Sequence, residues 1–157
     1  MKQLTVTDLQ QLSEQAAQSP RLRANRNLHP ELSDAVQRLA VAMAPGTYVR
    51  PHRHPHTFEL LTPLSGRFLV LHFDDDGYVT QRVVLGEECK LLETDAGIWH
   101  AVLSMDNDGV IFEVKHGGYQ PVTEQDSAPW APAENDQGAG ELMEWYLRAQ
   151  VGNTFTR

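Results

Sequence analysis

Residues 45–66, Pro45-Gly46-Thr47-Tyr48-Val49-Arg50-Pro51-His52-Arg53-His54-Pro55-His56-Thr57-Phe58-Glu59-Leu60-Leu61-Thr62-Pro63-Leu64-Ser65-Gly66, decide how the rest of the chain is read. Alternate side chains of an extended strand share a face, so His52 and His54 point the same way. Glu59 has the wrong parity for an uninterrupted strand. A turn or bulge must therefore fall within Pro55-His56-Thr57-Phe58, and Pro55, which lacks a ladder donor, supplies the break. Downstream, Gly97-Ile98-Trp99-His100 brings a third candidate imidazole, with Gly97 suited to a tight turn that aims it. Three imidazoles and one carboxylate suit a divalent first-row transition ion and leave positions for water or substrate. Iron, manganese, zinc and nickel are all compatible with such donors.

Outward from this stretch the texture is of short β-type runs: 37–43, 47–50, 58–64, 67–73, 78–85, 89–93, 100–104 and 110–115. Turn chemistry separates them at Pro45-Gly46, Ser65-Gly66, Asp76-Gly77, Ala96-Gly97 and Asn107-Asp108-Gly109. Many short strands at close spacing predict an all-β sandwich or barrel. A jelly roll is the version that brings His52, His54, Glu59 and His100 together. Thr7 to Gln18 reads as a helix, with Thr7 and Gln10 in a capping-box pattern and Leu9, Leu12 and Ala16 on one face. Glu141 to Gln150 reads as a second, with Leu142, Trp145 and Tyr146 spaced for one face. Between them Trp130 is the apolar anchor expected of an irregular arm, and 135–140 has the composition of a linker.

The motif positions resemble the two sequence motifs of the cupin superfamily. The first matches in full: Gly46, His52, His54, Glu59 and Gly66. The second is partial, since Asp95-Ala96-Gly97 stands where a Pro-x-Gly is usual and Ser104 where an asparagine is usual. The chain also resembles the WbuC family of cupin-fold metalloproteins over nearly its whole length. The runs that carry this are Arg26-Asn27-Leu28-His29-Pro30, Val36-Gln37-Arg38-Leu39, Tyr48-Val49-Arg50-Pro51-His52-Arg53-His54, Trp99-His100, Phe112-Glu113-Val114-Lys115 and Ala128-Pro129-Trp130-Ala131-Pro132. The resemblance implies a single-domain, all-β cupin jelly-roll barrel at 36–117, preceded by a short helix and lid-like segment at 1–35. A C-terminal arm and helix at 118–157 pack on the barrel. It further implies a metal held by His52, His54, Glu59 and His100, and a link to bacterial surface-polysaccharide (O-antigen, lipopolysaccharide) biosynthesis.

Other residues are weighed against plainer roles. His56 continues the alternation of His52 and His54 and competes as a ligand, although a rim position fits it better. Arg50 shares the parity of His52 and is a candidate for holding an anionic substrate, with a surface ion pair as the equal alternative. Asn27 and His29 are candidates for a lid over the cavity, and Glu113, His56 and His29 for a general base. His72 lies in an apolar run, where a hydrogen-bonded core histidine is expected. Glu93 and Asp95 are candidates for orienting the His100 ring. Asp74-Asp75-Asp76-Gly77 lacks a calcium-loop pattern and reads as a hairpin turn.

The 157 residues suffice for one domain with a sizeable core. Thirteen basic against 21 acidic residues give a net charge of −8, which opposes non-specific binding to nucleic acid or an anionic membrane. The single Cys89 and the polar N-terminal residues fit a cytoplasmic protein without a signal peptide. The gene-cluster association that the resemblance implies, and no residue, makes a sugar or nucleotide sugar the expected small ligand; metal-dependent isomerisation or epimerisation is one candidate activity, although the retained cage counts against it. Iron-dependent dioxygenation and a non-catalytic, metal-assisted carbohydrate-binding module are the rivals. The C-terminal helix is a candidate homodimer contact, with packing on its own barrel as the default.

Overall fold

The computed structural model describes residues 1–156, and its strands form two antiparallel sheets. They are β1 (Arg23–Asn27), β2 (Val36–Met43), β3 (Glu59–Ser65), β4 (Phe68–Phe73), β5 (Val79–Leu85), β6 (Leu92–Thr94), β7 (Trp99–Ser104) and β8 (Val110–His116). One sheet runs β1-β2-β8-β3-β6 and the other β5-β4-β7. The result is the expected cupin jelly roll, with helix α1 (Val6–Gln18) at one end of the chain and α2 (Gly138–Arg148) at the other.

Three apolar clusters hold the layers together. Between the sheets lie Met43, Leu61, Phe68, Val70, Leu85 and Ile111, all buried. Outside the larger sheet, Leu12 and Ala16 of α1 pack on Ala40, Ala42 and Val110. Outside the smaller sheet, Leu142 and Tyr146 of α2 cover Leu69, Leu71 and Phe73. β4 is therefore buried on both faces, which explains a run that is apolar except at His72. Trp130 of the arm stacks near Phe73, with ring centroids 4.8 Å apart, and lies against Gly77, where any Cβ would approach the indole to 2.9 Å.

Several local expectations change. The helix is capped by Thr5, whose hydroxyl accepts from the Asp8 N–H while the Asp8 carboxylate reaches back to Thr5, not by Thr7 and Gln10. Residues 47–50 form no strand, and just past them His52 bridges to His100 of the smaller sheet. The expected linker at 135–140 already enters α2 at Gly138. β1 gives no strand signal in the sequence, because Arg-Ala-Asn-Arg-Asn has no apolar alternation. It is a strand because its backbone completes the edge of β2, with Asn25 opposite Val41 and Asn27 opposite Leu39. Its outer face carries Ala24 and Arg26, the latter ion-paired to Asp8 of α1. Its inner face carries Arg23, Asn25 and Asn27 over the barrel cavity.

Candidate metal centre and the cavity above it

Strand register sets the site. His72 of β4 lies opposite His100 of β7, and His100 lies opposite His52, with reciprocal backbone hydrogen bonds of 3.1 and 2.9 Å. His54 follows two residues on. The chain then turns at Pro55-His56, so Glu59 re-enters on β3. The Gly97 N–H donates to the His54 carbonyl (3.0 Å), tying the two loops to each other, and Gly97 has φ +83° in the turn foreseen for it.

Ligand atoms of His52, His54 and His100 all lie within 4.8 Å of one another. The Glu59 carboxylate stands beside them, with Oε1 3.3 Å from His54 Nε2 and Oε2 3.1 Å from His100 Nε2. These separations have the length of an ion pair, yet the geometry at both Nε2 atoms is not that of a hydrogen bond. Buried nitrogens facing a carboxylate without a hydrogen bond mark a space suited to a cation. The other ring nitrogens settle the tautomer. His52 Nδ1 donates to the Arg50 carbonyl (2.9 Å) and His100 Nδ1 to the Ile98 carbonyl (3.0 Å), which leaves each Nε2 lone pair for a ligand. The donor set fits a divalent transition ion.

His72 shares the row but not the role, because its Nε2 is engaged by the Thr94 hydroxyl at 2.9 Å. Glu93 and Asp95 are exposed, and the partner that orients the His100 ring is a backbone carbonyl instead.

Electrostatics follow from burial and neighbours. Burial, with His100 adding to it, pushes the His52 imidazole down to about 3, so it is neutral near pH 7. Burial alone would raise the Glu59 carboxyl, but the Lys115 ammonium and His100 hold it well below the usual carboxylate range. Burial alone would lower His100; the Glu59 charge outweighs it and raises the imidazole.

Lys115 is the member that sequence reasoning passed over. Its Nζ donates to Glu59 Oε1 (3.0 Å) and to Glu113 Oε2 (2.8 Å). Burial would lower this lysine, but Glu113 and Glu59 raise it above its ordinary value, so it is charged. Lys115 appeared in the sequence only as the end of an ordinary strand run. Two-residue spacing from Glu113 was its one signal, because it places both side chains on the inner face.

The cavity has a volume of about 840 Å³. Arg50, His56, Asn27 and Glu113 line it, as do Lys115, Arg23 and Asn25. Arg50 is already engaged, with Nη1 2.9 Å from Glu124 Oε1 and Nη2 donating to the Ala128 carbonyl at 2.8 Å. His56 is exposed at the rim. His29 stands apart from this cavity, buried beyond β1 with its Nδ1 3.0 Å from the Arg38 backbone nitrogen, so the lid expected of it is not formed there.

Fold and site together define a cupin jelly roll with a histidine-rich centre at one end of its barrel. The fold is similar to oxalate oxidase in complex with the substrate analogue glycolate, at TM-score 0.54 and 16% identity over 67% of this chain and 56% of that one. It is similar also to a recombinant oxalate oxidase in complex with glycolate, at TM-score 0.55 and 16% identity over 84% and 68% of the two chains. A protein from Thermus thermophilus aligns at TM-score 0.51 and 17% identity, over 63% of this chain and 87% of that one. The chain thus spans little more than half of the first of these, and the likeness is one of fold. No curated protein matches the sequence. Residues 4–85 match the family described as "Domain of unknown function (DUF6016)", and the chain belongs to that family. The matched region contains His52, His54 and Glu59 and ends before His100.

Proposed function

We propose that the protein is a cupin metalloprotein that holds a divalent transition ion through His52, His54, Glu59 and His100 and acts on a small sugar-like molecule in the cavity above. The observation that carries this reading is the convergence of the unbonded His54 and His100 Nε2 atoms on the Glu59 carboxylate. A bound ion would act as a Lewis acid, polarising a carbonyl or hydroxyl of the ligand. The chain's own residues do the rest. Backbone carbonyls fix two imidazoles in the ligating tautomer, Lys115 fixes Glu59, and the barrel wall limits access of water to the floor of the site.

A WbuC-type role in surface-polysaccharide synthesis is supported by the matching runs around Asn27, His52 and Trp130. The binding-module reading is favoured by one observation over isomerase, epimerase or dioxygenase chemistry. Lys115 is ion-paired to both Glu113 and Glu59, so neither Lys115 nor Glu113 is an uncommitted base beside the ion. Elemental analysis of untagged protein purified without chelators tests the metal. About one equivalent of iron, manganese, zinc or nickel, lost in His100→Ala, is the expected result; equal metal in that variant removes the reading. Oxygen uptake dependent on added iron and abolished in Glu59→Ala would favour dioxygenation over simple binding.

A further inference from the structure

Sheet register puts two different surfaces inside the mouth of the barrel. On β8, Lys115 uses two of its three ammonium hydrogens on Glu59 and Glu113, leaving one donor for the cavity. On β1, Asn25 Nδ2 donates to Asn27 Oδ1 at 2.9 Å. That bond aligns the carboxamides and leaves Asn25 Oδ1 as acceptor and Asn27 Nδ2 as donor. Such a pair is a good reader of hydroxyl groups, since each hydroxyl both gives and takes a hydrogen bond. β1 lies two strands from β8, with Asn27 level with Glu113 and Asn25 level with Ile111, so Asn27 is about 12 Å and Asn25 about 16 Å from Lys115 along the sheet at ~4.8 Å per strand and ~3.4 Å per residue.

Charge points the same way. The chain carries −8 overall, yet four cationic and three anionic side chains line this cavity. Glu134 answers Arg21 and Arg23, and Glu124 at the rim answers Arg50. Lys115 faces two carboxylates, one of which is a ligand of the proposed ion. A divalent ion added to this set leaves the floor of the cavity net positive.

We propose that the cavity takes an acidic, polyhydroxylated ligand of sugar size or larger, its anionic group held beside Lys115 and its hydroxyls read by Asn25 and Asn27 of β1. This rests on the metal reading for the full positive charge of the floor, but the lysine and the asparagines belong to the chain alone. A compact two-carbon acid would reach the floor and miss the asparagines. The cavity volume of about 840 Å³ lies within the range of ~300–1,000 Å³ that small-molecule sites occupy.

Titration calorimetry of the full chain, metal-loaded and metal-free, with D-glucuronate, glucose 1-phosphate and D-glucose tests it. The three probes share hydroxyls and differ in the anion, so the first two also distinguish a carboxylate from a phosphate source. At least one acid should bind the metal-loaded protein tighter than glucose by roughly tenfold or more, about 1.4 kcal/mol. Lys115→Met should erase that preference and Lys115→Arg retain much of it. Equal binding of all three, binding of none, or a preference that survives Lys115→Met in folded protein would overturn the proposal. Should Lys115→Met fail to fold, Asn25→Ala/Asn27→Ala on the exposed edge strand carries the test. It should weaken all the probes that bind together, and unchanged affinities would overturn the proposal. If elemental analysis finds no metal but the acid preference persists in the metal-free chain and vanishes in Lys115→Met, the metal reading falls and this one stands.

Discussion

The two ends of the barrel interior are made by the same strands and behave as different materials. Along β4 the inward residues run Phe68, Val70, His72; along β7, from the same end, Ser104, Val102, His100. On the facing sheet Leu61 gives way to Glu59 and Ile111 to Glu113 and Lys115. Two or three residues of travel thus lead from a packed apolar core to a cluster of imidazoles and charges. The closed end supplies burial and the open end supplies chemistry. A site can therefore be emptied or altered without loss of the fold, because little of the apolar burial depends on it.

This division is open to experiment. The largest effect on stability belongs to the closed end. Phe68 is fully buried, and Phe68→Ala should cost about 3–5 kcal/mol by lost burial and a residual cavity. Urea unfolding measures it, and the folded fraction should hold as much metal as before. At the open end His100→Ala should lower metal affinity by more than the roughly 10–100-fold typical of losing a supporting group. The metal-free variant should give up some stability with this buried ring but still fold in buffer, and a variant that does not fold would make the site structural.

Acid and base should sharpen the contrast. His52 sits at about 3 in the fold against 6.5 when unfolded, so between those values the unfolded chain binds the extra proton. The metal-free protein should lose stability as pH falls through that window. Glu59, held below its ordinary value, adds to the loss at the acid end. His100, raised in the fold, has the opposite sign: its contribution is full below pH 6.5 and is lost as pH rises through its folded value. Stability of the metal-free protein should therefore fall away on both sides of a maximum. Phe68→Ala should lower the whole profile in chemical denaturation without changing its shape.

Thr5→Ala, remote from both ends, should cost about 1 kcal/mol by removing the cap of α1, read in thermal melts, with metal content intact. The smallest effect is expected at His56→Ala. This side chain is exposed at the rim, and elemental analysis should find the metal content unchanged. A substantial loss would show that His56 belongs among the ligands.

Much of this contrast could be read from residues 45–66 and 97–100. Parity placed His52 and His54 on one face, Pro55 located the turn, and Gly97 located the second turn. The strands with apolar alternation or apolar runs were legible for the same reason, that burial imposes a period. β1 was not, because an edge strand facing a wet cavity needs backbone pairing and no apolar face. Lys115 was hidden for a related reason. A lysine at the end of a strand resembles a solvated one until the neighbouring strand brings Glu59 opposite it. Arg50 fared the other way, since its parity was visible but Glu124, far along the chain, was not.

Taken alone, the sequence determined that this is an all-β chain whose two histidine-bearing turns have the spacing of a cage, because local periodicity and turn chemistry are written in consecutive residues. Which side chains face one another across the cavity was decided only by tertiary structure. Lys115 against Glu59, His72 against Thr94 and the asparagine wall of β1 all depend on strand register, and register is a property of pairs of segments distant in the chain.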